Sequence, residues 1–126
     1  MNILMIDTSG PACGVAIMAD GRLVYEAELT HKQTHSQRVM PMVDTALQMS
    51  DMTAADMDVF GAVVGPGSFT GVRIGVSTVK ALAHAADKPC VAVDALEALA
   101  ANVTAFDGVV CPIPVSYTHL TLPTIA

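Results

Sequence analysis

Apolar and polar positions along the chain fall first into short runs with a period of two, then into longer runs with helical spacing. Asn2 to Asp7 is an apolar run that ends on an acid, and Thr8-Ser9-Gly10-Pro11 reads as a turn. Ala12 to Ala19 is a second strand. Asp20-Gly21 then tolerates positive φ at both positions, as a tight hairpin requires. From Arg22 to Leu29 the residues alternate, with Leu23, Tyr25, Ala27 and Leu29 expected on one face and Val24, Glu26 and Glu28 on the other. Next comes a polar stretch in which Thr34, His35 or Ser36 can cap a helix running to about Met49. Ser50 to Asp58 is polar and turn-like. Val59 to Val64 predicts a fourth strand, and a second helix follows to about Ala86. Lys88-Pro89 breaks that helix, and Cys90 to Val93 predicts a fifth strand. Asp94 can cap a third helix to about Val103, and Val109 to Ile113 predicts a sixth strand.

Three antiparallel strands followed by helix-linked parallel strands predict an α/β domain. The layout is that of the ribonuclease-H-like unit shared by actin-like ATPases and sugar kinases (the ASKHA superfold). The expected sheet is mixed and five- to six-stranded, with helices on both faces. This domain is expected to span residues 1–113. The stretch from Pro114 to Ala126 has no helical period, and its prolines argue against a central strand. It is expected to be irregular.

Between the fourth strand and the second helix lies Gly65-Pro66-Gly67-Ser68-Phe69-Thr70-Gly71-Val72-Arg73-Ile74-Gly75, with four of the nine glycines. Strand, glycine loop and helix can aim backbone N–H groups at an anion. On that reading Gly67, Ser68 and Thr70 hold a phosphate or carboxylate, and Arg73 is the counter-charge. The spacing also suits a tight turn in which Ser68 or Thr70 caps the helix, and it leaves both readings open. No G-K-[ST] follows, so this is not a Walker loop. Gly71 and Gly75 share a helix face and leave room for a close neighbour. Asp7, Thr8 and Ser9 end the first strand, where ligands gather in α/β sheets, although Asp7 can equally cap its own turn. His31 and His35 have the spacing of a zinc pair on a helix, but no third ligand is evident and their segment is polar. A solvated pair fits better, and no metal site is expected.

Six basic residues against twelve acidic ones, a formal charge of −6, argue against a surface that wraps RNA or DNA. No run of about 18 apolar residues exists for a membrane span. Met1-Asn2-Ile3-Leu4 opens as a strand without the basic flank of a secretory signal. Three scattered cysteines read as reduced thiols, so a cytoplasmic protein is expected.

Ile3 to Ser9, His35-Ser36 with Pro41, and above all Gly65 to Gly75 resemble the bacterial TsaB family, also called YeaZ. The similarity runs from about Met1 to Ile113, and the glycine stretch is its most specific part. The resemblance implies the ribonuclease-H-like fold. It also implies a role in forming threonylcarbamoyladenosine at position 37 of tRNAs that read codons starting with A. In that pathway the transferase chemistry and the metal belong to the paralogue TsaD, and a TsaB-type protein is its partner together with the ATPase TsaE. No catalytic residue and no directly bound cofactor are then expected; ATP and metal belong to the partners, and tRNA is reached only through the complex. The expected partner surface combines Val39, Met40, Val43 and Leu47 of the first helix with Gly71, Gly75 and Val79 of the second, facing the paralogue or a second copy. Two other functions fit less well: an ATP-hydrolysing enzyme using Asp7 and the Gly67–Thr70 loop, and a metallopeptidase using the two histidines. Members of the family are about twice this length, with a second lobe, and residues 114–126 do not resemble them.

Overall fold

The computed structural model of the chain describes residues 1–30 and 34–113. Five strands form one sheet: β1 (Asn2–Asp7), β2 (Cys13–Ala19), β3 (Arg22–Leu29), β4 (Val59–Val63) and β5 (Cys90–Val93). Their order across the sheet is β3-β2-β1-β4-β5. β1, β2 and β3 pair antiparallel, while β4 runs parallel to β1 and β5 parallel to β4. The helices are α1 (His35–Met49), α2 (Phe69–Ala86) and α3 (Ala95–Ala100), and a single 3₁₀ turn spans Ala54–Asp56.

The turns follow their local chemistry. Asp20 and Gly21 both have positive φ, as the β2–β3 hairpin needs. Thr53 and Asp56 form a reciprocal capping box around the 3₁₀ turn. Ser68 caps α2 by accepting from the Gly71 N–H at 3.2 Å. Asp94 caps α3 by accepting from the N–H groups of Leu96 and Glu97.

Strand alternation divides the sheet into two unlike faces. Leu4 and Ile6 of β1, Val15 and Ile17 of β2, and Phe60 and Ala62 of β4 are buried on one face. There they meet Val39, Val43 and Ala46 of α1 and Val79 and Ala83 of α2 in a single core. Met5, Gly14, Ala16 and Val63 belong to the opposite face, which carries an open groove of about 670 Å³ also lined by Ala95, Leu96 and Leu99 of α3. Helices therefore flank both faces, unequally.

Three local expectations change. β3 loses its simple alternation at a bulge: Ile17 pairs with Tyr25 but Met18 pairs with Leu23, so Val24 is an extra residue. One extra residue reverses the parity of everything before it. Leu23 thus lies opposite exposed Met18 and is 56 % exposed, while Tyr25, Ala27 and Leu29 stay half-buried. The sixth strand expected at Val109–Ile113 does not form; β5 is the sheet edge, and Val109 is 90 % exposed. A β-prone run becomes a strand only when it is paired, and among the described residues Val109–Ile113 pairs with no strand, leaving the outer edge of β5 open. α3 stops at Ala100, short of Val103. Residues 114–126 lie outside the described residues.

Phe60 is fully buried at the centre of the core. Phe60→Ala is expected to cost about 3–5 kcal/mol, read as a lower midpoint in urea unfolding. A midpoint within error of the parent would contradict this placement of the core.

Candidate functional site

β1 and β4 are parallel neighbours, so the loops that leave their C-terminal ends lie side by side. That placement brings Asp7-Thr8-Ser9 against Gly65 to Gly75. Ser68 N–H donates to the Ser9 carbonyl at 2.8 Å, and Thr8 Oγ1 donates to the Gly71 carbonyl at 2.5 Å. Thr8 is fully buried and Ser9 nearly so. Asp7 turns back on its own segment: Oδ1 accepts from Ser9 N–H at 2.9 Å and from Ser9 Oγ at 2.6 Å.

The glycines are the means of this approach. A Cβ on Gly67 would collide with the Ser9 carbonyl, one on Gly71 with the Thr8 carbonyl, and one on Gly75 with Thr8 Oγ1. Gly71, Gly75, Val79 and Ala83 repeat every four residues and form the buried line of α2. Gly65 has φ of +105° and is joined to Pro66 by a cis peptide; its carbonyl accepts from Ala95 N–H at 2.8 Å. The loop thus links β1, α2 and α3.

Five of the seven residues expected at a partner surface lie inside the domain. Val39, Val43 and Val79 are at most 2 % exposed, and Gly71 and Gly75 are buried against Thr8. An apolar stripe on a helix shows that a face is covered, and here the chain's own sheet covers it. Leu47 is half-buried and packs on the core, while Met40 is 47 % exposed. A shallow groove between α1 and α2 is lined by Ser36, Met40, Thr70, Arg73 and Ser77. Thr70 and Arg73 were expected at an anion site and not on this surface, and Ser77 was not singled out, because the apolar stripe drew attention to the other side of the helix. The spacing Thr70, Arg73, Ser77 marks one helical face and is legible in the sequence.

The anion reading places its residues apart. Asp7, Ser9 and Gly67 line the open groove on the sheet face, whereas Thr70 and Arg73 line the groove between the helices. Arg73 lies over the Phe69 ring, 5.3 Å from its centre. Glu26 and Glu28 share the sheet-face groove with Asp7, and cross-strand pairing sets Asp7, Gly14 and Glu28 in one row. Burial, and secondarily the charge of Asp7, raises the thiol pKa of Cys13.

His31 lies outside the described residues. His35 faces the β1–β2 loop, with Nε2 2.8 Å from the Gly10 carbonyl. Among the described residues no group of three His, Cys, Asp or Glu side chains is placed to hold a metal ion. Nor is any described helix long and apolar enough to cross a membrane.

The family model described as TsaD, tRNA N6-adenosine threonylcarbamoyltransferase, matches residues 27–117. A tRNA threonylcarbamoyladenosine biosynthesis protein TsaB from Bacillus subtilis is 44 % identical over 113 residues, covering 90 % of this chain and 49 % of the relative. The structure of YeaZ from Pseudomonas aeruginosa superposes with a TM-score of 0.71 at 37 % identity, over 75 % of this chain and 44 % of that one. The chain belongs to the TsaB/YeaZ family. It spans about half the length of the curated relatives it matches. The RuvC protein of T. thermophilus, in complex with a Holliday junction substrate, superposes at a TM-score of 0.53 with 15 % identity, over 77 % of this chain and 66 % of that one. That likeness concerns the fold alone, and it agrees with the ribonuclease-H-like architecture of the TsaB/YeaZ lobe.

Gly75→Ala tests the packing at this site. The added methyl is expected to destabilise the domain by about 1–3 kcal/mol, read as a lower melting temperature. A larger residue such as leucine is expected to prevent folding, so loss of partner binding in Gly75→Leu would report a lost fold. An unchanged melting temperature in Gly75→Ala would contradict the contact with Thr8.

Proposed function

We propose that this chain is the N-terminal lobe of a TsaB-type component that supports threonylcarbamoyladenosine formation on tRNA, acting as the non-catalytic partner of a TsaD-type transferase. The observation that carries this reading is the use made of the glycine stretch. Its glycines receive Thr8 and Ser9, and its serine caps α2, so the most distinctive motif of the chain is committed to internal packing. The match to the TsaB protein of Bacillus subtilis and the TsaD family model support the assignment to this pathway.

The docking surface in this reading is the outward side of α1 and α2: Met40, Thr70, Arg73 and Ser77 around their shared groove. It offers a polarisable thioether beside a guanidinium and hydroxyls, a mixture suited to a partner helix. ATP and metal chemistry belong to the TsaD- and TsaE-type partners, and tRNA is met only in the assembled complex. The complex is cytoplasmic, and a second copy of the chain competes for the same surface.

Titration of the chain with its cognate TsaD-type transferase tests this directly. Met40→Glu and Arg73→Glu are each expected to weaken association at least about tenfold with the melting temperature unchanged. Full affinity in both variants would overturn the assigned surface. No association by the unsubstituted chain would overturn the partner reading itself.

A further inference from the structure

Spacing alone makes His35 half of a zinc pair, yet its ring occupies a different kind of place. His35 is the first residue of α1, and the residue before it, Thr34, makes no side-chain cap to the helix backbone. Thr34 Oγ1 instead lies 3.0 Å from Ser36 Oγ. The opening of α1 therefore lacks the usual local anchor.

The His35 ring reaches the β1–β2 loop, where Nε2 is 2.8 Å from the carbonyl of Gly10. A carbonyl can only accept, so Nε2 carries the hydrogen and the other ring nitrogen is not needed for the bond. The ring also lies over the first turn of α2: its Cδ2 is 3.4 Å from where a Cβ on Gly71 would stand. Gly71 is the residue whose carbonyl receives Thr8 Oγ1. One half-buried imidazole thus touches the loop after β1, the start of α1 and the start of α2.

Ser36 and Met40, which line the groove between the helices, follow His35 by one and five residues. We propose that His35 is a positioning residue: by holding the opening of α1 to Gly10 and against Gly71, it sets the shape of the α1–α2 groove that receives the partner. This rests on the reading of that groove as the docking surface. A residue at this position needs a donor at the reach of Nε2, which glutamine supplies and alanine does not.

The test compares His35→Ala and His35→Gln with the parent chain in two measurements. Amide hydrogen exchange over residues 39–43 is read in the free chain, and affinity is read with the cognate TsaD-type transferase. His35→Ala is expected to speed exchange there about tenfold and to weaken association about tenfold, as for one lost hydrogen bond. His35→Gln is expected to restore most of both. Parental exchange in His35→Ala would overturn the anchor. Faster exchange with parental affinity would overturn the positioning role. Equal losses in both variants would overturn the hydrogen bond as its means. If the parent chain does not bind the transferase, the partner reading and the positioning role fail together, and the exchange measurement still decides whether the anchor exists.

Discussion

The contact on which the rest of this lobe depends is the approach of α2 to the end of β1. Thr8 is fully buried, its hydroxyl is bonded to the Gly71 carbonyl, and Gly75 gives way to it one turn later. A helix normally stands off a sheet by the thickness of its side chains. Here two glycines remove that layer at one end of the helix, so α2 meets β1 almost backbone to backbone. Farther along, Val79 and Ala83 restore the ordinary spacing over the core. The helix is therefore seated by its N-terminal half and packed by the remainder.

Several features follow from that seat. Ser68, at the N-cap, is held to Ser9 by its N–H and closes the first turn through its side chain. The loop before it must reach back over β1, and Gly67 provides room for the Ser9 carbonyl. With the buried line of α2 fixed by Gly71, Gly75, Val79 and Ala83, Arg73 and Ser77 point elsewhere, toward α1. The outward groove between the helices is thus a geometric result of the inward glycine contact. A motif committed to packing can in this way still shape a surface.

The legibility of the chain differed by element. The five strands, α1 and α2 were readable to within a residue or two, because each is an apolar run or a helical stripe bounded by turn, cap or breaker residues. The Asp20-Gly21 turn and the Ser68 cap were readable because each depends on the local chemistry of a few neighbouring residues. The Val24 bulge left no mark in the pattern, since an alternating run looks the same with or without an extra residue opposite it. Val109 to Ile113 looked like a strand because β-propensity describes fitness for a sheet and does not decide whether the run is carried to the open edge of β5. In the candidate site, the residue types were apparent and their facing was not.

The sequence by itself determined the order of elements from β1 to α3, the ribonuclease-H-like class, the family and the place of the glycine loop. All of these reside in local composition and in motif. Tertiary structure alone decided that Gly71 and Gly75 face Thr8, that Val39, Val43 and Val79 are core, and that the His35 ring meets the Gly10 carbonyl. The reason is common to all three. Periodicity specifies that one side of an element is covered, and a glycine specifies that something comes close. The identity of the neighbour depends on residues some 25 to 65 positions away, brought together only when β4 settles beside β1 and α2 and α1 close over the sheet.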